Sequence, residues 1–445
     1  MRDKKYNVIL IGIDTLRADH LGCYGYKRPT SPVIDAFAKE SLFFKNCFSQ
    51  APVTAPSFMS IFTSRYPTCH GVLSNIGTKY NLRRAYILDR RIPVFTEVLK
   101  KLEYRTAAFT DGGNLYGKLG FSRGFDYYSE NPNRSRSVGG IPQDDIFYWL
   151  REHARENFFL FFHTYAVHNP WFAPKSYQKL FDPTCGDHIK NPPFRQTLER
   201  RNIKVSPYHY FLSQIDRDSP DNLFHFKALY DGAIKYVDDF VGNLMELLGT
   251  LKLTDSTIVV FTSDHGEEFF DHGMLGHKQL YNELLRVPLI IMAPGFSRAS
   301  STDQIVRSID IIPTILDILG MAADFSVQGA SLTKMFDNDL NFVAIAETER
   351  HGYSVQNKTH KYIWPRYKNY PPHMKLHAID NRVNDIAVDE LYDLTNDPQE
   401  KNNIAIKNLD IVEVMLGLFD SELNRIQPPR PRKKVIFLGT DSDTE

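Results

Sequence analysis

Cysteine is scarce in this chain. Its four residues, Cys23, Cys47, Cys69 and Cys185, have no paired spacing in 445 residues. That argues against a disulfide framework or a cysteine zinc knot and suits a reducing cytoplasm. An excess of either charge is absent as well. Lys+Arg and Asp+Glu are both 53, so bulk charge points to neither a nucleic-acid binder nor a membrane-surface protein. Long apolar runs are missing too, and no stretch approaches the ~18 residues of a membrane span. The early run in "MRDKKYNVILIGIDTLRADH" is too short for a secretory core and meets Asp14 at once, so it reads as a buried strand. What remains is the composition of an ordinary globular protein, 42% hydrophobic and 24% charged. The length suits one large domain plus a smaller one.

Five short apolar runs read as strands of a mainly parallel sheet: Tyr6–Ile13, Thr106–Thr110, Phe158–Thr164, Ser256–Ser263 and Val287–Pro294. Between them lie the helical patterns "SPVIDAFAKES", "IPVFTEVLKKL", "DDFVGNLMELLGTL" and "SIDIIPTILDILG". Strands alternating with amphipathic helices predict an α/β fold with both sheet faces covered. The expected organisation is a catalytic domain over 1–340, with a polar insertion or lid over 182–221. A small α+β subdomain follows over 341–426, with a helix at Leu409–Ile426, and 427–445 is an exposed tail.

In such sheets ligands bind beyond the carboxyl ends of strands. Asp14 ends the first run, His168 follows the third closely, and Asp264 and His265 directly follow the fourth. Read alone, "SDHGEE" is a loop that caps a helix. Together with Asp14 it reads as a metal site. Carboxylates plus imidazole suit Zn²⁺, Mn²⁺ or Fe²⁺, whereas an all-oxygen set would favour Ca²⁺ or Mg²⁺. The Thr54 hydroxyl would fill a fourth position. Thr54 precedes Ala55, Pro56 and the run "SFMSIFTS", so it stands at a helix N-terminus, which suits an anion as well as a simple cap. A threonine hydroxyl is a poor nucleophile until activated, and a divalent ion can activate it. His163, inside an apolar strand, reads as a core histidine. His20 and His70 read as structural; Arg17 reads as an ion-pair partner of the site or a surface charge, Trp171 as pocket lining or a packed aromatic, and His272 as orienting the loop or lining the pocket.

The stretches "IDTLRADHLGCYGY", "TSPVIDAFAKES", "TAPSFMSIFTSRYPTCHGV", "FFHTYAVHNPW", "TSDHGEEFFDHGMLGHKQLYNELLRVPLII" and "ELYDLTNDPQEKNNIA" occur in this order from residue 6 to about 405. Jointly they resemble the sulfatase family within the alkaline phosphatase superfamily. The resemblance implies a large mixed sheet flanked by helices and a small C-terminal domain with a four-stranded antiparallel sheet. It also implies metal ligands at Asp14, Asp264 and His265, and the nucleophile at Thr54. His168 would contact the ester group. His277 falls where many members have a sulfate-touching lysine, and Lys278 beside it would share that role. Asn75 and Thr110 match substrate-contacting residues of phosphonate monoester hydrolases, and Arg65 matches an arginine that supports the nucleophile loop.

Four departures from the family pattern carry information. The Cys-x-Pro-x-Arg signal for formylglycine reads Thr-Ala-Pro-Ser-Phe over residues 54–58. Thr15 replaces the second aspartate of the usual pair, an Asp-His pair replaces Asp-Asn, and the Lys-x-His motif is missing from "FTDGGNLYGK". Without formylglycine a threonine sulfate ester lacks its usual exit, whereas a threonine phosphate ester can be opened by water. The site also resembles that of phosphoethanolamine transferases. The expected activity is therefore one-metal hydrolysis of phosphate mono- or diesters or phosphonates through a covalent Thr54 intermediate. The alternatives are sulfuric ester hydrolysis, transfer of a phospho-head group, and a non-catalytic member that binds an anion or a partner. Expected partners are a small ester substrate and neither nucleic acid nor membrane; a homo-oligomer is compatible with the sequence.

Overall fold

The computed structural model describes residues 6–79, 82–130, 140–169, 171, 173–183, 220–296, 300–321, 326–336, 342–349, 352–364, 389–426 and 434–438. By internal contacts the chain forms two compact units that interleave along the sequence. The first comprises Met1–Lys45, Val94–Gly276 and Val287–Ser301; the second comprises Asn46–Pro93, His277–Arg286 and Thr302–Glu445.

The first unit carries strands β1 (Asn7–Ile13), β2 (Arg105–Thr110), β3 (Tyr127–Glu130), β4 (Phe158–Thr164), β5 (Thr257–Ser263) and β6 (Arg286–Met292). Their order across the sheet is β6-β5-β1-β4-β2-β3. All neighbours pair in parallel except β6 with β5. The five expected runs form strands, with limits shifted by a residue or two, and the antiparallel β6 makes the sheet mixed, as the resemblance implied.

Helices cover both faces, and the two-residue period of the strands explains how. Phe158, Leu160 and Phe162 of β4 point into one core cluster with Ile9, Ile11 and Ile13 of β1. A long helix, Pro220–Thr250, lies on that face. Its Leu229, Ala233, Val237, Phe240, Leu244 and Leu248 recur every three or four residues and are all buried, the stripe a helix needs to sit on a sheet. Phe240 meets Phe162 with ring centroids 4.6 Å apart. On the opposite face Phe159 packs edge-on against Phe95 of helix Phe95–Lys101, at 5.4 Å. The long helix begins at residue 220 and so takes in the end of the stretch expected to be an insertion; 184–219, including Cys185, lie outside the described residues.

The second unit holds a four-stranded antiparallel sheet in sequence order: Ala344–Thr348, Gly352–Gln356, His360–Trp364 and Glu390–Asp393. Helix Leu409–Ile426 buries Met415 and Phe419 against Val355, Tyr362 and Leu391. A buried ionic cluster ties the same unit together. Arg307 contacts Asp310 at 2.9 Å and Glu422 at 2.8 Å, and Tyr66 donates its hydroxyl to Glu422 at 3.1 Å. The segment expected to be an exposed tail contains a strand, Lys434–Leu438, paired antiparallel with Leu82–Ile87. Its run "KVIFL" is rich in the β-branched and aromatic residues that favour pairing with an open strand. Among the described residues no helix is long and apolar enough to cross a membrane.

Candidate active site

The sheet order decides which sequence motifs meet. β1 lies between β5 and β4, and all three run parallel. Their carboxyl ends therefore share one edge, and the residues just beyond them become neighbours. Asp14 follows β1, and its backbone N–H donates to the Thr164 carbonyl of β4 at 3.1 Å. Asp264 and His265 follow β5. All three side chains are fully buried, and one ligand atom of each lies within 4.8 Å of the other two.

Hydrogen bonds orient each member of the group. Asp264 Oδ1 accepts from the Thr15 N–H at 3.1 Å and the His265 N–H at 2.8 Å. Its second oxygen, Oδ2, lies 3.4 Å from His265 Nε2. His265 Nδ1–H donates to the Gly266 carbonyl at 2.8 Å, which leaves Nε2 as the nitrogen that could hold a metal ion. Thr15 holds a left-handed φ of 57°, a strained value for a β-branched residue. Tyr230 donates to its carbonyl at 2.7 Å, and its hydroxyl donates to the Val167 carbonyl at 3.2 Å. The hydroxyl that stands in place of a second aspartate is thus spent on the backbone.

His168 follows β4, half-buried, and its Nδ1–H donates to the Asn169 carbonyl at 2.6 Å. The Asn169 amide donates to Glu267 at 2.9 Å. Burial pushes the Glu267 carboxyl up, while the nearby His168 and His265 pull it down. Tyr165 stands edge-on to both His163 and His168, with ring centroids 4.7 and 5.5 Å apart. Burial and the Asp14 charge hold its phenol well above its ordinary range. Thr110 is buried at the end of β2. Its hydroxyl donates to the Ser129 carbonyl at 3.1 Å and accepts from the Gly112 N–H at 3.3 Å, so local backbone engages the group expected at the substrate.

His163, expected as a core histidine, also lies beside the site. It is fully buried, and its Nε2 lies 3.5 Å from Asp14 Oδ2. Burial pushes the imidazole pKa down to about 3. Tyr165, Asn169 and Glu267 escaped notice, because contact between strand ends carries no local sequence signal. Arg17 is now explained as a clamp: it is bidentate to Asp19 at 2.8 and 2.7 Å and reaches Asp271 at 2.7 Å. His20 pairs with buried Asp231 at 2.8 Å, and His272 with Glu268 at 2.9 Å. Trp171 packs against Phe269 and Tyr230 in the core.

Thr54, Arg65, Asn75, His277 and Lys278 belong to the second unit. Thr54 is the first residue of helix Thr54–Thr63 and is 1% exposed. Pro56 is the third helical position, and Ser57 N–H already donates to the Val53 carbonyl at 3.2 Å. Val53 offers no capping side chain, and Asn75 Oδ1 instead accepts the Ala55 N–H at 2.8 Å. Buried His70 braces the same helix: its Nδ1 accepts the Val72 N–H at 3.1 Å, and its Nε2–H donates to Ser60 Oγ at 3.0 Å. Arg65 donates to the Ser326 carbonyl at 2.9 Å, consistent with loop support. His277 is half-buried and Lys278 exposed.

The donor chemistry fits a divalent cation. Two buried carboxylates and one imidazole whose Nε2 could hold an ion are a costly arrangement that such an ion neutralises. Mixed oxygen and nitrogen donors suit an ion of intermediate hardness.

The family model described as Sulfatase matches residues 6–321, and a model for the N-sulphoglucosamine sulphohydrolase C-terminal region matches residues 270–427. An N-acetylglucosamine-6-O-sulfatase of Bacteroides thetaiotaomicron is 23% identical, covering 98% of this chain and 90% of its own. A solved structure in complex with its substrate D-glucosamine-2-N,6-O-disulfate has a TM-score of 0.74 at 19% identity, over 96% of this chain and 99% of that one. The phosphonate monoester hydrolase of Agrobacterium radiobacter has a TM-score of 0.69 at 20% identity, over 95% of each chain. With the first of these family models matching most of its length, the chain belongs to the sulfatase family.

Proposed function

We propose that this protein is a metal-dependent ester hydrolase that acts through a covalent Thr54 intermediate, with phosphate mono- or diesters or phosphonates preferred. The observation that carries the reading is the buried Asp14–Asp264–His265 group at the carboxyl edge of three neighbouring parallel strands. The nucleophile reading rests on the sulfatase-type motif around Thr54 and on its place in the first turn of a helix.

Asp14, Asp264, His265 and the Thr54 hydroxyl would hold one divalent ion, with Zn²⁺, Mn²⁺ or Fe²⁺ suiting the donors best. Such an ion, when bound, supplies Lewis acidity and offsets charge on the transferring group. Thr54 would release its hydroxyl proton to solvent, and its Oγ1 would attack phosphorus. The bond from phosphorus to the leaving oxygen breaks, and that oxygen takes a proton from His168 or His277. Water would then attack phosphorus and give one proton to that same histidine, the Thr54 Oγ1–phosphorus bond would break, and the threonine would take its proton back from solvent. The His168 Nδ1 bond to the Asn169 carbonyl supports this role, because it assigns proton exchange to Nε2. Asn75, Lys278 and Thr110 complete the proposed substrate-contacting set, with Arg65 supporting the nucleophile loop.

Sulfuric ester hydrolysis is the second reading, favoured by a curated relative that is a sugar sulfatase. Free thiols at Cys23, Cys47 and Cys69 support a cytoplasmic setting. The deciding experiment is an activity panel of aryl sulfate, aryl phosphate, bis-aryl phosphate and aryl phosphonate, each with Mn²⁺, Zn²⁺ or Ca²⁺. Phosphoryl turnover is expected; rapid sulfate turnover without it would sink the preference. Thr54→Ala should keep the ion and lose turnover, and full activity in that variant would remove Thr54 as nucleophile.

A further inference from the structure

His163 is a buried titratable group that the mechanism above does not use. A core histidine needs partners for two ring nitrogens, yet its strand is otherwise apolar until Thr164. Strand geometry explains what the ring reaches. Phe159, Phe161 and His163 share one face of β4, away from the core cluster that takes Phe158, Leu160 and Phe162. In the β1–β4 pairing, His163 stands beside Gly12. That β1 position has no side chain, so nothing from β1 fills the space next to the ring. Asp14 lies two residues further along β1, and its Oδ2 is 3.5 Å from His163 Nε2. Tyr165, two residues further along β4, closes on the ring edge-on at 4.7 Å.

We infer that His163 is a positioning residue for the metal site: it presents Nε2–H to Asp14 Oδ2 and so sets which carboxylate oxygen faces the ion. The inference rests on the metal reading above. His163 stands outside the three-residue group whose ligand atoms mutually approach, which separates this role from direct ligation. Partners behind a ligand of this kind change metal affinity by about 10–100-fold when removed.

The test is calorimetric titration of the metal-stripped full chain with Mn²⁺, alongside circular dichroism melts to check folding. His163→Leu removes the donor, and His163→Gln places an amide nitrogen where Nε2 stands. The Leu variant should bind Mn²⁺ roughly 10–100-fold more weakly, and the Gln variant should recover most of that loss. If His163→Leu does not fold, His163→Asn carries the same test, because its amide nitrogen corresponds to Nδ1 and falls short of Asp14. Affinity within twofold of the wild type in the donor-lacking variant overturns the inference. Electron spin echo spectra of bound Mn²⁺ should show one imidazole nitrogen in the wild type and in each variant. A second nitrogen in the wild type, lost on substitution, would make His163 a ligand and overturn the positioning role. A wild-type chain that takes up no ion would remove the metal reading itself, a distinct outcome from equal affinities.

Discussion

Acid should loosen the helix that begins with Thr54, and His70 is the group through which it acts. The His70 imidazole is fully buried, accepting the Val72 N–H and donating to Ser60. Burial lowers its pKa from 6.5 to about 3. The unfolded chain therefore binds a proton that the folded chain refuses between those values. Stability then falls as pH drops below about 6.5, with a slope approaching 1.4 kcal/mol per pH unit. Integrated from pH 7 to pH 5, the loss from this one group is about 2 kcal/mol. His70→Gln keeps a donor and an acceptor but has no proton to take up. Urea unfolding of wild type and variant at both pH values isolates the effect. The wild type should lose about 2 kcal/mol more than the variant between pH 7 and pH 5. Equal losses would refute the reasoning, since other titrating groups are common to both proteins.

Three further outcomes follow from named contacts. Asn75→Ala leaves the Ala55 N–H without its side-chain acceptor and should cost about 1–2 kcal/mol in unfolding experiments, while Asn75→Asp should retain most of it. Arg307→Met takes the guanidinium from Asp310 in the second unit's core, while Glu422 keeps Arg425, and chemical denaturation should show a loss of about 3–5 kcal/mol. Asp264→Asn should lower the metal content read by mass spectrometry; unchanged occupancy would refute its assignment as a ligand.

Much of the fold is legible because the evidence for it is local. The runs before Asp14 and before Asp264 are mostly apolar, and both form strands buried along their whole length. The acid and imidazole groups at those strand ends are equally plain in the chain, as is the threonine where the sulfatase family most often has cysteine. Local patterns could not show that β1 lies between β4 and β5, because strand order depends on which faces bury best against which helices. That order gathers Asp14, Asp264 and His265, and it makes the core residue His163 a neighbour of Asp14 as well. The same limit hid the Asn75 contact with Ala55, twenty residues away, and the paired strand in the expected tail. Chemistry was written in residue types along the chain; adjacency, which turns those types into a site, came only from the packed sheet.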